Sequence, residues 1–132
     1  MLRLEIVTPE KKIYSDDVDS VVVPGSEGEM GILTDHVPLM TMLQPGELRV
    51  LKGGEELRLA IGSGFVEVSN NKVAVLTDMA VHESEIDDSA AEEAIQRAEA
   101  ALRDTHLNDE EYATVKASLQ KSIALVRVKR RR

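Results

Sequence analysis

The sequence contains no cysteine and no tryptophan, and only one phenylalanine and two tyrosines. Without cysteine there is no disulfide framework, no thiolate nucleophile and no Cys-based metal site. With so few aromatics, aliphatic side chains must fill the core, and the stacking platforms used by single-stranded nucleic-acid binders are missing. A net charge of −8 excludes the same class, because a phosphate backbone is repelled overall. No apolar run approaches the roughly 20 residues needed to cross a bilayer, so no direct membrane insertion is expected. The opening Met1-Leu2-Arg3-Leu4-Glu5-Ile6 lacks the basic-then-apolar layout of an export signal. It is also too acidic and too soon strand-like for an organelle transit peptide, which favours a bacterial source. What is present suffices for a core: 132 residues, 42% of them hydrophobic, room for one ordinary domain or two small ones.

The chain changes character near Glu83. Before it, apolar residues alternate: Leu2, Leu4, Ile6; Leu57, Leu59, Ile61; Val66, Val68; Val73, Val75. A period of two places them on one face of a strand. Turn signals at Pro24-Gly25-Ser26, Pro45-Gly46, Gly53-Gly54 and Asn70-Asn71 separate the stretches. Many short strands at close spacing predict an antiparallel β-sandwich over residues 1–83. After Glu83 the period becomes helical. Ser89 with Glu92 reads as a capping box, and Ala91, Ala94, Ile95, Ala98, Ala101 and Leu102 then share one face. Arg103-Asp104-Thr105-His106-Leu107 reads as a break, after which Asn108 caps a second helix with apolar face Tyr112, Val115, Leu119, Ile123 and Val126. The predicted class is α+β: the sandwich, then an antiparallel two-helix hairpin over residues 84–132. Its alanine seam buries little area, so its packing is marginal unless it rests on the sandwich or a partner.

Charge is unevenly spread. Acids dominate from Glu85 to Glu111, with only Arg97 and Arg103 against them, whereas from Tyr112 onward there are none. That last stretch carries Lys116, Lys121, Arg127, Lys129, Arg130, Arg131 and Arg132. Either the pattern complements the helix dipoles and ends in a solvated tail, or the basic helix can leave its acidic partner for another acidic surface.

Chemistry-bearing constellations are weak. His36, His82 and His106 stand apart, without a recurring ligand spacing, so no metal site is expected. Gly25, Gly28 and Gly31 superficially resemble a phosphate loop, but no Lys-Ser/Thr pair follows and Ile32-Leu33 continues as strand. Turn glycines explain them better. Gly62-Ser63-Gly64 lacks the strand-to-helix setting of a nucleophilic serine.

The most informative stretch runs from Val23 to Leu39, VPGSEGEMGILTDHVPL, with Val7-Thr8-Pro9-Glu10 upstream. Leu59-Ala60-Ile61-Gly62-Ser63-Gly64-Phe65-Val66-Glu67-Val68, then Asn71 to Leu76, then Ile86-Asp87, follow in order. A glycine-rich turn, an apolar pair, His-x-Pro-Leu and a later Gly-Phe-x-Glu-Val together resemble the epsilon subunits of bacterial F-type ATP synthases. The resemblance spans the whole chain. It implies a ten-stranded sandwich bound to the gamma subunit and the membrane c-ring, on the cytoplasmic face of the plasma membrane. Catalysis in that family resides on the beta subunits, so the resemblance implies an accessory subunit and not an enzyme.

By the same resemblance the loop from Glu29 to Leu39 faces the c-ring, with Glu29, Met30, Gly31 and His36 as candidate contacts. His36 has an alternative reading as a turn residue satisfied by nearby backbone. In the family the hairpin either folds on the sandwich or extends toward the alpha and beta subunits to inhibit hydrolysis; Lys116, Lys121 and Arg127 are the candidates here, with Arg130 to Arg132 as a solvated tail. Some relatives bind ATP on the hairpin through Ile-Asp-x-x-Arg-Ala. Here Ile86 and Asp87 remain, but Ala90 replaces the arginine, and the second-helix basic positions read Lys121 and Leu125. Without the guanidinium the bidentate phosphate contact is lost, so weak ATP binding or none is expected and no cofactor is implied. Competing readings are a coupling subunit with a non-inhibitory hairpin, a generic acidic adaptor, and a free-standing enzyme using Glu27 and Glu29.

Overall fold

The computed structural model describes residues 1–104 and 106–130. Thr105 of the expected break, and Arg131 and Arg132 of the basic tail, lie outside the described residues. Alternation yields ten strands: β1 Leu2–Val7, β2 Lys12–Val18, β3 Ser20–Gly25, β4 Gly28–Leu33, β5 Leu39–Leu43, β6 Gly46–Lys52, β7 Glu55–Ile61, β8 Gly64–Ser69, β9 Lys72–Thr77 and β10 Ala80–His82. Hydrogen bonding runs β10-β7-β6-β3-β5-β8-β9-β1-β2, with β4 attached to β3. β3 and β5 share one residue pair, Gly25 with Leu43. There the network folds over, and two layers enclose the core.

In β1, β7, β8 and β9 the inward phase is the one the alternation marks. Leu2, Leu4, Ile6, Leu59, Ile61, Val66, Val68, Val73 and Val75 are buried, and Leu57 packs half-buried against them. Asn70 and Asn71, at φ 52° and 60°, make the two-residue turn between β8 and β9. Gly53 and Gly54, at 59° and 83°, do the same between β6 and β7; positive φ at both positions suits the turn that matches strand twist. The glycines of the supposed phosphate loop belong to the β3–β4 hairpin, where Gly25 pairs with Gly28. One pairing departs from the antiparallel expectation: β1 and β9 run parallel. Strands this far apart in the chain need no hairpin between them, so nothing forces the antiparallel sense.

A single 3₁₀ turn at Glu83–Glu85 leads into two helices, α1 Asp88–Leu102 and α2 Asp109–Arg130. The start of α1 corrects the expected capping box. Asp87, not Ser89, is the cap, its carboxylate accepting from the Ala90 N–H at 3.1 Å. Glu92 turns instead to Arg130 of α2 at 2.5 Å. The capping box lies at α2: Asn108 Oδ1 accepts from the Glu111 N–H at 2.7 Å, and Glu111 Oε1 from the Asn108 N–H at 3.2 Å. Arg130 also meets Asp88 at 3.5 Å, joining the end of α2 to the start of α1, so the helices are antiparallel.

α2 lies on the outer surface of β6 and β7. Ala60 and Ile86 pack there with Val128, flanked by Met79, Val81 and Leu125. This corrects the expected apolar stripe of α2. Tyr112 and Ile123 are exposed, Val115, Leu119 and Val126 are half-buried, and the buried residues are Ser122, Ala124 and Val128. A helix that serves both a partner helix and a sheet buries parts of two faces, and small residues are buried where backbones approach.

Candidate functional surfaces

Three surfaces stand out, beginning with the edge strand β4. β4 pairs only with β3, and Glu29, Met30 and Gly31 follow one another along it. Glu29 is held by Arg49 of β6 at 2.8 Å, and the same guanidinium meets buried Glu47 at 3.0 Å. Met30 tucks against the core, whereas Gly31 is exposed. His36 lies beyond the far end of β4, so the four candidates line one edge and do not converge. The His36 N–H donates to the Leu33 carbonyl at 3.1 Å, and its ring Nδ1 donates to the Val37 carbonyl at 2.8 Å. Nδ1 of the imidazole is therefore occupied locally, as a donor because a carbonyl can only accept. Glu27, offered with Glu29 for catalysis, sits in the open β3–β4 turn, exposed to solvent.

The second surface was missed by the strand reading. On the outer face of β5, β8 and β9, Met42 pairs with Phe65 and Phe65 with Leu76, while Met40 begins the same face. These four are 64% (Met40), 58% (Met42), 48% (Phe65) and 51% (Leu76) exposed, and a shallow groove of about 440 Å³ bordered by Val7, Pro9, Phe65 and Leu76 adjoins them. A row of large apolar side chains in water marks a contact surface. The signal was in the sequence: β5, β8 and β9 carry apolar residues on both phases of the alternation.

The third surface is the docked hairpin. Lys121 is engaged by Asp78 of the sandwich at 3.0 Å, and Lys129 Nζ donates to the Glu83 carbonyl at 3.3 Å. Arg130, expected in a solvated tail, is bound to Glu92 and Asp88; the hydrogen bond to Glu92 holds its guanidinium pKa above the ordinary value. Lys116 and Arg127 remain exposed, Arg127 beside a cleft that also includes Gln44, Pro45 and Gln120. Ile86 is buried in the docking cluster and Asp87 is a helix cap, so both remnants of the nucleotide motif have structural occupations. Among the described residues, no group of three His, Asp or Glu side chains comes together as a metal site, and no helix is long and apolar enough to cross a membrane.

Comparison with known proteins places these surfaces in context. Residues 1–83 match the beta-sandwich domain of the ATP synthase delta/epsilon chain, and residues 84–130 match its long alpha-helix domain. The ATP synthase epsilon chain of Dehalococcoides mccartyi is 45% identical over 131 residues, covering 99% of this chain and 94% of the relative. That of Desulforamulus reducens is 49% identical over 100 residues, 76% of each chain. Among solved structures, a chain of the Euglena gracilis mitochondrial ATP synthase, in a complex including the c-ring, superposes with a TM-score of 0.80 at 26% identity. The match covers 94% of this chain and 78% of that one. A chain from the central stalk and c-ring of the Tetrahymena thermophila enzyme shares the fold, with a TM-score of 0.64 at 13% identity and coverage of 97% and 96%. Matched by family along both halves, the chain belongs to the ATP synthase delta/epsilon chain family.

Proposed function

We propose that this protein is a non-catalytic central-stalk subunit of a proton-translocating F-type ATP synthase, coupling the c-ring to the gamma subunit and restraining ATP hydrolysis through its C-terminal helices. The observation that carries the reading is the division of surfaces on a chain of this family. An exposed apolar row and an open edge strand lie on the sandwich, while a basic helix is held down by a small cluster, the Lys121–Asp78 ion pair and the Lys129 hydrogen bond to Glu83. The row Met40, Met42, Phe65 and Leu76 is the dock for gamma, and the edge Glu29, Met30, Gly31 and His36 meets the polar loops of the c-ring. Residues 1–83 do the coupling and residues 84–132 the regulation. In this division the beta subunits perform catalysis, and the protein sits peripherally on the cytoplasmic face of the membrane.

The inhibitory state requires α2 to leave the sandwich and present Lys116, Lys121 and Arg127 to an acidic surface of the alpha and beta subunits. Lys121 must first exchange Asp78 for that surface. Exposed ion pairs contribute about 0–1 kcal/mol each, so several must act together. ATP binding by the hairpin is weak or absent, since Ala90 supplies no guanidinium; equilibrium dialysis at millimolar ATP should find no occupancy.

The test is hydrolysis by the assembled enzyme with the full chain or with one stopped after Glu83. Faster hydrolysis by the truncated form, with proton pumping retained, is expected. Unchanged hydrolysis would leave a coupling subunit whose hairpin does not inhibit, and loss of assembly with gamma and the c-ring would refute the stalk assignment.

A further inference from the structure

Asp35, Asn70 and Asn71 are the non-glycine residues with positive φ among those described. Asn70 and Asn71 have a local reason, the tight turn between β8 and β9. Asp35, at φ 64° in the loop joining β4 to β5, is the third residue of a turn that the His36 N–H closes on the Leu33 carbonyl, a position that admits positive φ. The two left-handed sites meet. The Asp35 N–H donates to Asn71 Oδ1 at 2.6 Å, and Asn71 Nδ2 donates back to Asp35 Oδ1 at 3.2 Å. The Asn71 carbonyl in turn accepts from the Arg3 N–H of β1 at 2.8 Å. One asparagine thus ties the β4–β5 loop to the sandwich, 36 residues away in sequence.

We propose that Asn71 is a positioning residue for the His36 loop: its amide braces the turn in which Asp35 is left-handed, and this sets the direction in which Asp35, His36 and Val37 leave the end of β4. A backbone conformation that an aspartate adopts at a cost persists only where its surroundings determine it. Here the turn bond is reinforced by a side chain that both accepts and donates, which an amide does and a carboxylate does not. Asn71 would touch no partner itself; it acts through the loop. The inference rests on the proposed c-ring contact at His36 for its consequence in coupling, but not for its structural content.

Asn71→Asp retains the turn-forming side chain while removing the donor and placing a second carboxylate against Asp35. The exchange variant, Asp35→Asn with Asn71→Asp, puts the amide on the other partner and restores both hydrogen bonds. Amide hydrogen exchange on the full chain should show the residue-35 amide exchanging about tenfold faster in Asn71→Asp: an oxygen at 71 can still accept from it, but the Nδ2 hydrogen bond is replaced by carboxylate repulsion that opens the contact. The exchange variant should return it to the original rate, with the core amides unchanged throughout. In the assembled enzyme, protons pumped per ATP hydrolysed should fall in Asn71→Asp, as in His36→Ala, and recover in the exchange variant. Unchanged exchange at residue 35 in Asn71→Asp, or no recovery in the double variant, overturns the positioning role. If residue-35 exchange responds as described while His36→Ala leaves coupling intact, positioning stands and the c-ring assignment of this loop is what fails.

Discussion

Val128 sits at 0% exposure between α2 and the sandwich, against Ala60 and Ile86, and belongs to the docking cluster, not to the main core. Replacing it with alanine removes two methyl groups, about 1.6 kcal/mol of transfer free energy. The cavity left behind brings the cost to about 2 kcal/mol. Because none of the main-core side chains is altered, the loss should fall on docking of the hairpin. Two kcal/mol corresponds to roughly a 30-fold rise in the undocked-to-docked ratio. The absence of cysteine makes this directly measurable, since dyes at Glu55→Cys and Glu110→Cys report the separation of hairpin and sandwich without competing thiols. Val128→Ala should shift the transfer distribution toward the distant state, and hairpin amides should exchange faster while those of β1 and β9 do not. Asp78→Asn provides the scale: its pair with Lys121 is partly exposed on both sides, so the shift should be no more than a few-fold. Hairpin and sandwich amides losing protection together in Val128→Ala would refute the reasoning, because the helices would then be inseparable from the sandwich.

Other substitutions probe separate parts of the argument. A Cβ on Gly64 would lie 1.9 Å from the Leu76 carbonyl oxygen, whereas one on Gly62 would meet chiefly the movable Asp78 carboxylate at 2.0 Å, with Met79 Cβ at 3.3 Å. Gly64→Ala should therefore lower the thermal midpoint of the sandwich by an amount equivalent to about 3 kcal/mol, with Gly62→Ala milder but loosening Lys121. Asn108→Ala should cost about 1 kcal/mol by removing the cap of α2, and Ser89→Ala close to nothing, since Asp87 caps α1; urea melts followed by circular dichroism distinguish them. Hydrogen bonds from Lys12 and Lys72 hold the Glu5 carboxyl below its ordinary pKa, and one from Lys52 does so for Asp16. Depressed carboxylates favour the folded state above their unfolded pKa and lose that contribution as pH falls through the folded one. The thermal midpoint should stay level down to about pH 5, then drop below about pH 4, less steeply in Glu5→Gln.

The strands were legible because alternation over Leu2-Leu4-Ile6 or Val73-Val75 is a local property that burial then enforces. The same one-phase habit concealed the row on β5, β8 and β9, where Phe65 and Leu76 occupy the phase assigned to solvent. The face of α1 was also readable: Ala91 is buried, and Ala94, Ile95, Ala98, Ala101 and Leu102 are half-buried. The second helix was not, because burial of Ser122 and Ala124 depends on how closely a sheet approaches, which no apolar stripe records. Ser89 and Glu92 satisfied the capping spacing, but Asp87 stands at the bend where the extended chain enters α1, and Arg130 draws Glu92 away. His36 and Glu29 could be named from the resemblance, yet the link from Asn71 to Asp35 is a long-range contact that a linear reading does not register.

The parallel pairing of β1 with β9 also governs the order in which the molecule can be made. β1 is made before both of its neighbours, and one of them does not exist until Lys72 to Thr77 have been synthesised. Until then β1 has only β2 to pair with, and half its backbone groups await a partner. Closing so long a loop is slow, so the sandwich matures late. β7, with Ala60, carries the surface that α2 covers. The hairpin is thus made after the sandwich it covers, and an element added onto an existing body can leave it again without unravelling what lies beneath.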